Sequence, residues 1–202
     1  MSFVCIIAGY LLGSIPMSLI IGQKLFHTDI REHGSHNLGG TNAARVLGLR
    51  VGVAVIILDA LKAFLSVYIG SKVSPTIGTL AGFAACIGHC YPLFANFRGG
   101  KAVACTFGYF LGLGAFVTGS YLMFILAISV FAGVLYKFRM VSFASLVSLA
   151  IGSAASIYQP SYLVMFCSTI IYLLVVYRHR ENIERIRNNT ESKISFGGKK
   201  ES

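Results

Sequence analysis

The sequence predicts an all-α integral membrane protein with seven transmembrane helices, its N-terminus outside and its C-terminus in the cytoplasm. Three observations predict this fold class. Of 202 residues, 55% are hydrophobic and only 12% are charged, whereas a soluble domain carries about 25% charged residues. Apolar runs near the minimum spanning length of about 17 residues recur along the chain. The basic residues gather between alternate runs, as the positive-inside rule requires.

The first run, 3–22, has no basic segment before it and stays apolar past any cleavage site, so it reads as a span and not as a signal peptide. The next runs are 51–70 and 77–95, separated by a turn at Pro75. The stretch 102–136 is too long for one span, and Thr118-Gly119-Ser120 divides it into 102–117 and 120–136. The last two spans, 141–157 and 161–177, meet at Gln159-Pro160. Seven spans with the N-terminus outside place 23–50, 96–101, 137–140 and 178–202 in the cytoplasm, and these segments hold 15 of the 17 basic residues. Lys62 is intramembrane and Lys72 is outside. Six spans would break this agreement. Residues 1–187 form one polytopic domain, and 188–202 form a polar, loosely ordered cytoplasmic tail.

Composition also excludes functions. The net charge of +10 is spent on topology and on anionic headgroups or substrates, which argues against nucleic acid as a partner. Cys5, Cys86, Cys90, Cys105 and Cys167 lie in or beside apolar runs without a CxxC, so they read as packing residues. No metal site is expected, since Glu32, His33 and His36 form no recognised ligand motif. GxSxG hydrolase chemistry is missing as well.

Four constellations can carry chemistry. The loop His33-Gly34-Ser35-His36-Asn37-Leu38-Gly39-Gly40-Thr41-Asn42 leads to Arg45, with Thr41 or Asn42 placed to cap a short helix. Its glycines can bring backbone N–H groups to a helix N-terminus, a phosphate seat. Arg98-Gly99-Gly100-Lys101 opens the next span, and its glycines distinguish it from an ordinary topology anchor. In the tail, His179 and Asn182 are spaced i, i+3 on a helix continuing from the last span, where His179 can serve as base or hydrogen-bond partner. Asp59 and Lys62, also i, i+3, lie mid-span and read as a buried structural ion pair.

Together these residues resemble the bacterial glycerol-3-phosphate acyltransferases that use acyl phosphate as donor, the PlsY family. The resemblance covers most of the chain. It rests on Gly13-Ser14-Ile15-Pro16, Asp29-Ile30-Arg31, Gly34-Ser35 with Asn37, Thr41-Asn42 with Arg45, and Asp59 with Lys62. Gly88-His89 with Pro92, Gly99-Gly100-Lys101, and His179 with Asn182 and Glu191 complete it. Two positions depart from the family pattern: His36 replaces the second glycine of Gly-Ser-Gly-Asn, and Ala102 replaces the last glycine of Gly-Gly-Lys-Gly. A histidine is costly at His36 if the position needs positive φ, whereas alanine at a helix start is a mild change.

The resemblance implies acyl transfer from acyl phosphate to the sn-1 hydroxyl of glycerol 3-phosphate, giving lysophosphatidic acid and phosphate. It implies that Ser35, Arg45, Lys101 and His179 are the catalytic set. Thr41, Asn42, Gly99, Gly100, Ser142 and Asn182 would bind substrate, while Glu191 would be structural. It implies no cofactor, a monomer among membrane lipids, and an active site on the cytoplasmic face of the bacterial inner membrane. The competing class is a transporter of a small phosphorylated anion, but transporter sites sit near the midplane between repeats, and no repeat is visible here. A non-catalytic lipid-binding scaffold explains the basic edges but not the paired glycine–cation loops.

Overall fold

The structure, a computed structural model, describes residues 1–195 and is all-helical over them. Ten α-helices follow one another: α1 Ser2–Gly13, α2 Met17–Phe26, α3 Gly40–Leu47, α4 Leu49–Ser71, α5 Pro75–Cys90, α6 Val103–Leu113, α7 Leu122–Phe138, α8 Val141–Ala154, α9 Tyr162–Arg178 and α10 Arg180–Arg187. Short 3-10 turns extend α5 to Ala95 and α8 to Tyr158, and a π turn, Gly114–Thr118, extends α6.

Leu49–Ser71, Pro75–Ala95 and Val141–Tyr158 are long and apolar enough to cross a membrane. Five candidate spans result if each bent pair, Ser2–Gly13 with Met17–Phe26 and Tyr162–Arg178 with Arg180–Arg187, counts as one. Val103–Thr118 and Leu122–Phe138 are apolar but shorter. Gly119, at φ +69°, makes the turn between them, at the position the sequence reading chose.

The first expected span is not one helix. Pro16 has no N–H to donate and pushes the residue before it out of the helical region. The helix therefore breaks at Ser14-Ile15-Pro16, and α2 leaves α1 at 43°. The break releases carbonyls, and the Lys62 ammonium donates to that of Ile15 at 3.1 Å. The opening of α3 also differs from expectation. Gly39 is its N-cap without a side-chain cap bond, because the Asn42 carboxamide turns back into the preceding loop.

Packing centres on α4, which lies against α1, α3, α5 and α6. On the other side of the molecule, α7 packs on α8, and α9 on α5 and α8. Gly9 and Gly13 meet the backbone of Ala81 and Ala85 so closely that a Cβ on either would clash, which lets α1 and α5 cross with backbones nearly touching. Tyr109, Phe110, Leu113, Leu149 and Ile171 fill the interior. Large apolar side chains such as Ile57, Phe166 and Leu173 face outward, the surface a bilayer covers. Asp59 and Lys62 are 2% and 4% exposed and pair at 2.9 Å. Of the tail expected at 188–202, residues 196–202 lie outside the described residues, and the rest is tied down. The Ile194 N–H donates to the Arg139 carbonyl at 2.8 Å, and Glu191 joins the body through three side chains.

Ala102 corrects the expectation of a mild change. It is fully buried and takes φ +58° as the N-cap of α6. A left-handed non-glycine residue costs about 1–2 kcal/mol, partly offset by the lower unfolded-state entropy of alanine. Ala102→Gly should therefore stabilise the purified protein by about 0.5–1 kcal/mol. Thermal unfolding in detergent tests this, and an unchanged or lower midpoint counts against it.

Candidate active site

Two loops and the start of the tail meet at the end of the bundle where α2, α6 and α10 lie. In the first loop, the Asp29 carboxylate accepts the Arg31 backbone N–H at 2.9 Å and holds its guanidinium at 2.6 Å. That hydrogen-bonded pairing keeps the Asp29 carboxyl below its ordinary range and Arg31 above its own. Asn42, 1% exposed, organises the turn. It donates to the carbonyls of Ile30 and His33 at 2.9 and 3.1 Å and accepts the Ser35 N–H at 2.8 Å. Ser18 Oγ donates to the Leu38 carbonyl at 2.9 Å and ties the loop to α2. His36 stands at φ +56°, so the glycine it replaces does occupy a left-handed position. Its Nδ1 lies 2.8 Å from the Arg31 carbonyl, a hydrogen bond that offsets part of the steric cost.

The second loop runs from the end of α5 to α6. Asn96 and Phe97 are both left-handed, and Gly99 and Gly100 follow, both buried. A Cβ on Gly99 would strike the His89 carbonyl, and one on Gly100 would strike the His89 ring. The glycines are needed here for close approach, since neither takes a positive φ. The Gly100 N–H donates to the His89 carbonyl at 3.0 Å. From α9, Arg178 donates to the carbonyls of Gly99 and Gly100 at 2.8 and 3.1 Å and lies over the Tyr91 ring.

The tail supplies the third side. The helix expected to continue from α9 instead turns by 59° at His179. This turn leaves His179 3% and Asn182 7% exposed. The Lys101 ammonium donates to Asn182 Oδ1. Asn182 Nδ2 in turn donates to Glu191 Oε1 at 2.7 Å, which also accepts Ser142 Oγ at 2.7 Å. Arg185 Nε meets the other Glu191 oxygen at 2.8 Å. His179 Nδ1 lies 2.8 Å from the Val175 carbonyl, which fixes the proton on Nδ1 and leaves Nε2 as the acceptor.

Burial lowers Lys101 to about 8, with the Arg185 charge adding to it. Burial and the Lys101 charge lower His179 to about 4, so its imidazole is neutral at pH 7. Burial pushes Glu191 up, but hydrogen bonds from Ser142, Asn182 and Arg185 outweigh it and leave the carboxyl below its ordinary value. A cavity of about 680 Å³ opens beside this network. Ser35, Asn37, Gly99 and Lys101 line it with Arg31, Arg98, Arg178, Arg180 and Arg185, six cations in all against the three carboxylates Asp29, Glu32 and Glu181. Its shape and charge suit an anionic small molecule.

A model of the glycerol-3-phosphate acyltransferase family matches residues 3–189. The chain belongs to that family. Glycerol-3-phosphate acyltransferases of Streptococcus pyogenes serotype M5 (strain Manfredo) and serotype M1 are each 41% identical over 199 residues, covering 93% of this chain and 91% of the relative. Two crystal structures of PlsY (YgiH), an integral membrane glycerol 3-phosphate acyltransferase, share its fold at 34% identity. The glycerol 3-phosphate form has a TM-score of 0.88 and covers 96% of each chain. The lysophosphatidic acid form has a TM-score of 0.86 and covers 96% of this chain and 95% of its own.

Of the acyltransferase residues singled out from sequence, Lys101, Ser142 and Asn182 share one hydrogen-bond network with Glu191. Gly99, Lys101 and Ser35 line the large cavity, whereas Gly100 does not and instead borders a small void against Asp59, Lys62 and His89. His179 stands behind, close enough to feel the Lys101 charge. Thr41 and Arg45 are exposed on α3 and do not line the cavity, with the Arg45 stem beside Gly34. Asn42 spends its carboxamide on the loop, so its observed role is to shape the site and not to face it. Sequence reasoning missed Arg178 and Arg185, because cations at a helix end read as topology anchors. Asp59, His89 and Cys105 cluster closely enough to hold a metal, but the Lys62 ammonium already occupies the cation position at Asp59.

The Lys101 value sets a pH dependence. kcat/KM should fall as pH rises through about 8, because the free enzyme then loses the ammonium. The residual activity of Lys101→Arg should lack that alkaline limb. A wild-type profile flat to pH 10 contradicts the assignment. Glu191→Gln should cost about 1–3 kcal/mol of stability, since an amide cannot accept from all three donors. Chemical denaturation measures that loss, and an unchanged midpoint refutes it.

Proposed function

We propose that this acyltransferase moves a fatty acyl group from acyl phosphate to the sn-1 hydroxyl of glycerol 3-phosphate, releasing lysophosphatidic acid and phosphate. The observation that carries the reading is Lys101. Its ammonium follows a two-glycine turn at the edge of a cation-lined cavity and is held by the Asn182–Glu191–Ser142 network. An acyl phosphate is already activated, so no cofactor is required. Both phosphates would sit among the cavity cations while the acyl chain lies against the apolar outer surface.

The reaction is direct attack. The glycerol oxygen forms a bond to the acyl carbon, the bond from that carbon to the phosphate oxygen breaks, and the hydroxyl proton leaves with the phosphate. The phosphate of glycerol 3-phosphate, a monoester, titrates at about 6, so a substrate phosphate oxygen is a stronger base than His179, held at about 4, and can pass the proton on to the departing phosphate. His179, Asn182 and Ser142 would orient glycerol 3-phosphate. Lys101 would neutralise the charge that grows on the leaving phosphate. Ser35 and Arg45 would serve the substrate phosphates at the rim, with Thr41 and Asn42 shaping that loop.

Seven apolar helical units, with 15 of 17 basic residues between alternate ones or in the tail, support seven spans in a protein that we take to act as a monomer. In that arrangement the N-terminus is outside and the site faces the cytoplasm from a bacterial inner membrane. Residues 1–187 are the membrane unit, and the tail reaches back to it through Glu191.

Purified protein in detergent, given acyl phosphate and labelled glycerol 3-phosphate, should form lysophosphatidic acid. Acyl-CoA and acyl carrier protein should not replace the donor. Lys101→Ala should abolish turnover while the protein stays folded. A kinetically competent acyl-enzyme on Ser35 or a cysteine would falsify direct attack, and no product in detergent would return the transporter reading.

A further inference from the structure

We propose that Arg178 is a positioning residue for the reaction, setting the two peptide planes that carry Lys101 into the site. The role rests on the acyltransferase reading above. In a trans peptide the C=O and N–H point in opposite directions. The plane between Gly99 and Gly100 is pinned at both ends: Arg178 Nη2 takes its carbonyl at 2.8 Å, and its N–H goes to the His89 carbonyl at 3.0 Å. The plane between Gly100 and Lys101 is pinned at its carbonyl by Arg178 Nε at 3.1 Å. The Lys101 N–H is thereby turned to the side opposite Arg178.

Without the fork, two glycines in succession would leave these planes the freest in the loop. The Lys101 ammonium would lose its fixed origin, although Asn182 still receives it. The fork also brings two partial negative charges into contact with a cation, at the wall of a cavity where cations outnumber carboxylates. The guanidinium lies over the Tyr91 ring, its central carbon 5.6 Å from the centroid, within cation–π reach. A planar guanidinium is required here, because an ammonium is a point charge that cannot hold two successive carbonyls in one plane.

The test separates geometry from charge. Arg178→Lys keeps the charge and the stem, so it should fold, yet it should lose about 10- to 100-fold in kcat/KM for glycerol 3-phosphate, the scale of a small misplacement of a reacting group. Arg178→Ala should regain activity with added methylguanidinium but not with methylammonium. A merely structural role would leave that difference unmoved. Activity of Arg178→Lys within twofold of wild type, or equal rescue by the two cations, would overturn the proposal. Should Arg178→Ala not fold, the Arg178→Lys comparison decides alone. Wild-type protein that makes no lysophosphatidic acid would instead count against the acyltransferase reading, so the two failures are distinguishable.

Discussion

The buried pair of Asp59 and Lys62 is the constraint on which the site depends. Two charges at 2% and 4% exposure are costly in a bundle covered by hydrocarbon, and they persist only with every partner in place. Here the partners come from three different segments. Lys62 donates to the Ile15 carbonyl at the break between α1 and α2. Asp59 lies 3.5 Å from the His89 ring on α5, and its backbone carbonyl accepts the Cys105 thiol of α6 at 3.0 Å. One ion pair on α4 thus gathers the breaks and ends of the helices that carry both glycine loops. A small void of about 10 Å³ marks the junction, with Ile15 and Leu38 on one side and Gly99 and Gly100 on the other.

From that junction the two loops are built by opposite means. The first is held by side chains acting on backbone: Asn42 takes three partners, Ser18 a fourth, and His36 a fifth. The second is held by having no side chains. Gly99 and Gly100 let the chain lie on His89, and any Cβ would lift it away from the pair below. Lys101 then inherits its position from His89, and His89 from Asp59. The buried ion pair of α4 thus reaches Lys101 through His89 and the glycine pair, with no direct contact.

Most of the helical order was legible in the sequence because lipid imposes long apolar runs and basic flanks. The break at Pro16 was legible in principle, but hydrophobicity continues through Ser14-Ile15-Pro16 and hides it. Gly119 was found because the 102–136 run is too long for one span and a glycine between two small polar residues was the best turn it offered. The Lys101 region was found from its glycines, yet their reason was not. Glycine before lysine reads as an anion cradle, and only the packed structure brings His89 beneath it. Arg178 was invisible for a related cause: its partners are backbone carbonyls 78 and 79 residues away, and no side-chain pattern announces a carbonyl. Ala102 was misread because a helix start is tolerant only when its φ is negative.

The cations around the cavity are not all answered alike. Arg31 is answered by Asp29 at 2.6 Å and Arg185 by Glu191 at 2.8 Å. Arg178 spends its fork on two carbonyls. Lys101 meets a neutral amide, Asn182, whose own carboxylate partner is shared with Ser142 and Arg185. Its ammonium is thus partly buried without a counter-charge of its own, which is why burial and the Arg185 charge can lower it to about 8. A phosphate placed beside it would supply the missing charge and hold the proton on the amine. In the proposed reaction, the energy that burial withholds from Lys101 would by linkage become differential affinity for a dianion, and more so as negative charge collects on a leaving phosphate.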